Sequence, residues 1–210
     1  MPHPMEEKIL SIAHAPNQKL QAEIVSKDTE GLAFRILYDG TLVLSSSRLG
    51  IRFSDPDADS VPAIRTHAVR PLPFGGTELE VRLTKGEREF GIRFLVSDDR
   101  VAFRYEFDRI DDTPDYRERT SFHLALDGTS LSEEPESGLA QDRVLPLPAL
   151  FELDNGLYMS LDRLPNSPEV YALRMADGRR LDSQISDTGD TDTVRTDDVT
   201  PWWVISFTHP

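Results

Sequence analysis

The chain has 210 residues, 38% of them hydrophobic and 29% charged, a balance that supports a packed core and excludes a disordered chain. Its 37 acidic and 23 basic side chains leave a formal net charge of −14, a field that repels phosphate backbones and anionic membrane surfaces, so neither nucleic acid nor membrane is expected as a partner. Cysteine is absent, which excludes disulfides, thiol catalysis and zinc–thiolate sites and leaves the redox compartment open.

The segment Met1 to Lys8 lacks the basic and apolar regions of a secretory signal, so none is expected within it. No apolar run approaches the roughly 20 residues that span a bilayer. Alternation begins with Leu32, Phe34, Ile36 and Tyr38. It resumes at Leu79, Val81 and Leu83, then at Phe90, Ile92, Phe94 and Val96, then at Val101, Phe103, Tyr105 and Phe107. Each set puts apolar side chains on one face of a strand.

Turn chemistry punctuates these runs at Asp39-Gly40, Lys85-Gly86, Asp98-Asp99, Asn155-Gly156 and Asp177-Gly178. Asp55 to Pro62 reads as an acidic loop, Asp108 to Arg119 as a polar connection, and Asp127 to Arg143 as the longest loop. A short helical turn is expected between Leu164 and Val170, limited by Pro165 and Pro168. After an Asp- and Thr-rich stretch, Pro201 to Phe207 closes as an apolar strand. Short strands with a turn signal every ten or so residues predict an all-β fold, a large antiparallel β-sandwich, as one domain over residues 1–210.

Few residues announce chemistry. Asp55, Asp57 and Asp59 alternate as cation ligands do, but the Gly and Glu of a calcium loop are missing, so a solvated acidic turn is expected. Asp187, Asp190 and Asp192 form a looser version. His3, His14, His67, His123 and His209 show no metal-ligand spacing. No nucleophile elbow, phosphate loop or dinucleotide fingerprint occurs. Trp202 and Trp203 are neighbours on the closing strand, so their rings point to opposite faces. One can sit in the core while the other stacks on a sugar ring or packs at an interface.

Several phrases together carry a resemblance. They are Leu32-Ala-Phe-Arg-Ile-Leu-Tyr-Asp-Gly40, Ser47-Arg-Leu-Gly-Ile51, Val96-Ser-Asp-Asp-Arg-Val-Ala-Phe-Arg-Tyr-Glu-Phe107, Asp154-Asn-Gly-Leu-Tyr-Met-Ser-Leu161 and Thr200-Pro-Trp202. In this order they resemble the N-terminal domain of glycoside hydrolase family 97, which includes α-glucosidases and α-galactosidases. The resemblance implies a β-supersandwich that precedes a catalytic (β/α)8 barrel, buttresses it and shapes its sugar site. This chain stops at Pro210, where that barrel would begin, so no catalysis of its own is expected.

The resemblance also implies a Ca2+ cofactor held in part by one carboxylate of this domain. Asp162 is the nearest candidate, because Arg163 stands about where the family has Glu. Trp203 stands where the family usually has Arg. The expected partner is a catalytic barrel; the alternatives are carbohydrate, for a free-standing binding module, or a second copy of the chain, for a dimerising scaffold. A periplasmic or extracellular location follows from the resemblance alone.

Overall fold

The computed structural model describes residues 7–27, 31–53, 61–107, 116–131, 144–164, 171–175, 179–185 and 198–209. They contain the strands β1 (Lys8–His14), β2 (Leu20–Lys27), β3 (Gly31–Tyr38), β4 (Thr41–Arg48), β5 (Ile51–Phe53), β6 (Ala63–Pro71), β7 (Thr77–Lys85), β8 (Arg88–Val96) and β9 (Arg100–Phe107). Then follow β10 (Tyr116–Glu118), β11 (Ser121–Leu124), β12 (Gly128–Ser130), β13 (Val144–Pro146), β14 (Ala149–Leu153), β15 (Tyr158–Leu164), β16 (Tyr171–Met175), β17 (Arg180–Ile185) and β18 (Trp202–Thr208). No described residue is helical.

The strands form two eight-stranded sheets and a small third one. The first sheet runs β1-β2-β3-β4-β11-β17-β16-β13, the second β12-β14-β15-β18-β9-β8-β7-β6, and β10 pairs with β5. Every pairing is antiparallel. The expected all-β sandwich is therefore what the chain builds.

Alternation explains the central strands. On β7, Leu79, Val81 and Leu83 are buried while Glu80 and Arg82 face outward. On β8 and β9, Phe94 opposes Phe103, and their rings stack with centroids 5.1 Å apart. From the first sheet, Phe34 leans on Phe103 at 5.0 Å and meets Phe122 edge-on at 6.0 Å. One apolar cluster thus joins both sheets, and each such ring contributes roughly 1.5–3 kcal/mol by leaving water. At the β3–β4 hairpin, Asp39 and Gly40 take φ of 50° and 77°, the left-handed pair that a two-residue turn requires.

Two stretches read as connections contain strands. Tyr116–Glu118 forms β10 inside the polar connection, and Gly128–Ser130 forms β12 inside the long loop. Both are only three residues long, too short for alternation to register. The Asp55–Asp59 and Asp187–Asp192 clusters, His3, the Asp177-Gly178 turn and residues 165–170 of the expected helical turn lie outside the described residues.

Candidate functional site

The alternation of β18 sends its two tryptophans to opposite sides. Trp203 is fully buried beneath the second sheet, while Trp202 is half-buried on its outer face. Trp203 is therefore a core residue here, and the expectation of an exposed aromatic rests on Trp202 alone.

Around Trp203 the core becomes polar. Its indole Nε1 donates to Glu118 Oε1 at 2.6 Å, its ring meets Phe122 edge-on at 5.0 Å, and the Arg163 guanidinium lies over it at 4.5 Å. Register explains the stack, because Arg163 of β15 sits directly opposite Trp203. Arg163 grips the same carboxylate twice, Nη1 to Oε1 at 2.9 Å and Nη2 to Oε2 at 2.5 Å. The side chains of Arg163 and Glu118 are 2% and 6% exposed, so this is a buried, bidentate ion pair.

The network continues to a third layer. Thr120 Oγ1 donates to Glu118 Oε1 at 2.8 Å and lies 3.1 Å from the Tyr105 hydroxyl. That hydroxyl accepts the Gly50 N–H at 3.0 Å. Burial pushes the Glu118 carboxyl up, but the Arg163 charge and the three sets of donors outweigh it and hold the group below its ordinary range. Burial, helped by the Glu118 charge, raises the Tyr105 phenol.

Glycine is required at the foot of this network. The Gly50 carbonyl accepts from Arg119 N at 2.8 Å, and a Cβ on Gly50 would stand 2.7 Å from the Arg119 carbonyl oxygen. The close approach lets β5 and β10 pair and delivers Glu118 under β15 and β18.

Asp162, the expected calcium ligand, lies on the face opposite to Arg163, and its Oδ1 accepts the Arg163 backbone N–H at 2.8 Å. It offers one carboxylate toward the six to eight oxygens that calcium prefers. Among the described residues no three His, Asp or Glu side chains come together as a metal site. The position next to it holds a guanidinium already committed to Glu118. The described residues supply this one carboxylate, and the calcium role expected of it rests on the resemblance.

The outer face of the second sheet carries the other feature. Leu164 lies opposite Trp202's strand at the exposed end of β15, and Asp162, Val204, Ala102 and Leu95 follow one another across β15, β18, β9 and β8. Arg104 stacks on Trp202 at 4.4 Å. From there an ion ladder crosses the sheet. Arg104 meets Glu106 at 2.7 Å, Arg93 meets Glu106 at 2.8 Å and Glu78 at 2.7 Å, and Arg70 meets Glu78 at 2.5 Å. Burial raises the Glu78 and Glu106 carboxyls, yet their arginine hydrogen bonds and charges hold both below the ordinary range. The face thus joins an apolar strip around Trp202 to a fully paired polar field.

Glu118 was not visible as a site residue in the sequence. Its partners lie 45 and 85 positions away, and no spacing rule links an acid at the end of a three-residue strand to an Arg and a Trp on two other strands. The available signal was Arg163 itself, an Arg at an inward position of an otherwise apolar alternation.

Architecture and site together define an antiparallel β-sandwich with a polar plug at one place in its core and an aromatic on its outer face. Residues 74–209 match the family model described as "Glycosyl-hydrolase 97 N-terminal", and the chain belongs to that family. A search of curated proteins returned no match. Among solved structures, a variant glycoside hydrolase family 97 enzyme from Pseudoalteromonas sp. strain K8 aligns with a TM-score of 0.75 at 17% identity, over 94% of this chain and 35% of that one. The Pseudoalteromonas family 97 enzyme in complex with acarbose gives 0.73 at 16% identity, over 94% and 35%. A β-arabinopyranosidase gives 0.68 at 17%, over 94% and 40%. At such identities the likeness concerns the fold, and the chain spans about a third of the length of the first enzymes it matches.

Proposed function

We propose that this chain is a non-catalytic accessory domain that buttresses a glycoside hydrolase barrel and forms one wall beside its sugar site. The observation that carries this reading is the family match over residues 74–209, taken with an outer face that sets a half-buried Trp202 among Leu164, Val204 and Arg104. Apolar surface rimmed by paired charges suits a domain interface. Glu118, the most buried acid of the polar plug, has its lone pairs taken by Thr120, Arg163 and Trp203, so it serves the fold rather than proton transfer to a substrate.

The test has two parts. The purified chain is assayed on chromogenic α-glucosides and α-galactosides, with no turnover expected; clear turnover sinks the reading. The reading frame beyond the codon for Pro210 is then sequenced, and Trp202→Ala is made in the joined protein. A loosened barrel, seen as a barrel melting temperature that falls by more than the roughly 2–4 °C expected of the sandwich transition, is the expected result.

Trp202 supports a second reading. An aromatic beside Asp162 and Arg104 has the composition of a sugar platform. Titration with maltooligosaccharides and galactosides at millimolar concentration decides it, and silence removes it.

A further inference from the structure

The turn between β6 and β7, residues 72–76, closes tightly. Leu72 N–H donates to the Gly76 carbonyl at 3.0 Å, and Gly75 N–H donates to the Leu72 carbonyl at 3.2 Å. Gly75 and Gly76 take φ of 90° and 99°, a region that favours glycine. A Cβ on Gly76 would stand 3.0 Å from the Val96 carbonyl oxygen, so the turn is seated directly against the end of β8. Its base is braced from the first sheet as well. Thr77 Oγ1 donates to the His14 carbonyl at 2.6 Å, and Asn17 N–H donates to Asp98 Oδ1 at 2.9 Å across to the β8–β9 turn.

This braced turn holds out one aromatic ring. Phe74 is fully exposed, whereas Val61, the next most exposed large hydrophobic among the described residues, is 51% exposed. Exposed Pro73 and half-buried Leu72 stand beside it. Single exposed apolar residues are common. Phe74 differs because its backbone is already ordered, so burying the ring against a partner costs little further conformational entropy. Rings presented in this way are the usual anchors of interfaces.

The place of the tip in the fold points to its occupant. The matched family domain is described as N-terminal, and this chain covers 35% of the Pseudoalteromonas enzyme, so the larger part of such an enzyme follows the matched domain. β18 is the last strand of that match, and it ends on the same end of the sandwich as the tip. Val96 of β8 pairs with Thr77 of β7, and Phe207 N–H donates to the Asp99 carbonyl in the β8–β9 turn at 2.8 Å. Between β7 and β18 lie only β9 and β8, a separation of three strand spacings or roughly 14 Å. Trp202 lies at the opposite end of β18, roughly 20 Å from Thr208. Phe74 and Trp202 thus fall within a span of roughly 25 Å, which fits inside one interface of ordinary size.

We propose that Phe74 is an anchor that inserts into an apolar pocket on the domain following this one in the same polypeptide, a second point of attachment besides the Trp202 face. The proposal rests on the accessory-domain reading and goes beyond it, because that reading does not need Phe74.

The test compares the 210-residue chain with the protein that its complete reading frame encodes. Hydroxyl-radical footprinting with mass spectrometry reads the exposure of the Phe74 ring. Strong oxidation is expected in the chain alone, and at least about tenfold less in the complete protein. Phe74→Asp is expected to leave the melting temperature of the chain alone unchanged within about 2 °C, and to lower that of the following domain by roughly 4 °C or more. Phe74→Leu, which keeps apolar bulk, is expected to restore most of that loss. Equal oxidation in both proteins overturns the proposal, as does a shielded ring whose replacement by Asp leaves the following domain unmoved. Shielding that rises with concentration in the chain alone also overturns it, by assigning the tip to a second copy. The two readings fail separately: a Trp202→Ala effect with Phe74 still oxidised removes the anchor alone, whereas a reading frame without a further domain removes both.

Discussion

Glu118 and Arg163 hold charge where water does not reach, and neither can lose the other cheaply. Their side chains are 6% and 2% exposed. Removing one partner leaves an uncompensated buried charge, a loss of about 3–5 kcal/mol, whereas replacing both together with apolar groups of similar volume is often close to neutral. Glu118→Ala is therefore expected to lower unfolding free energy by about 3–5 kcal/mol in a urea titration, and Glu118→Leu with Arg163→Met to recover only part of it, because the Trp203 indole N–H still loses its acceptor. The two tryptophans offer an internal comparison. Trp203→Ala removes a fully buried ring that donates to Glu118, and about 3–5 kcal/mol is expected to go with it. Trp202→Ala loses a half-exposed stack on Arg104, and its cost in the same titration is expected to stay near 1 kcal/mol.

At the scale of elements, the small β5–β10 sheet is the piece that brings Glu118 into place, and Gly50 is its hinge point. Gly50→Ala forces a Cβ to 2.7 Å from the Arg119 carbonyl. Backbone must move, because the obstacle is not a flexible side-chain end. A loss of about 1–3 kcal/mol is expected, by the overpacking rule, together with faster hydrogen exchange at Arg119 N, whose acceptor is the Gly50 carbonyl. The elements also show what sequence can and cannot carry. β7 and β9 were legible from their alternating Leu, Val, Phe and Tyr because one face of each is buried and the other less so, and β3 and β8 kept the same alternation of large apolar residues although Ala33 and Gly91 between them are buried too. β6 was not, because both of its faces meet water and no period-2 pattern is imposed on it. β10 and β12 were too brief to show a period. The site was legible in half: adjacent tryptophans had to face opposite ways, but which one turned inward depended on the register that sets Trp203 against Arg163 and Phe103.

For the whole molecule, the carboxylates define the response to acid. Against the pull of burial, arginine partners hold Glu118, Glu78 and Glu106 below their ordinary value of 4.5 in the folded chain. Between the folded and unfolded values the unfolded chain binds more protons, so stability rises with pH there. Their contribution is complete above about pH 4.5 and is lost as pH falls through the folded values. The melting temperature is expected to drop steeply below about pH 4.5, and Glu118→Gln to flatten part of that drop. Tyr105 acts in the opposite sense. Its phenol is raised above the ordinary 10.0, so its contribution is whole below that pH and is lost as pH climbs through the folded value.

The division of the two tryptophans between the inside and outside of one sheet gives the protein two built-in lamps. Trp203 is wrapped by Phe122, Arg163 and Glu118, so its emission follows unfolding and resists quenching by iodide. Trp202 faces outward, so its emission responds to whatever settles on the outer face while the fold stands still. A Trp202→Phe protein and a Trp203→Phe protein would let folding and docking be followed as two separate optical signals from one chain.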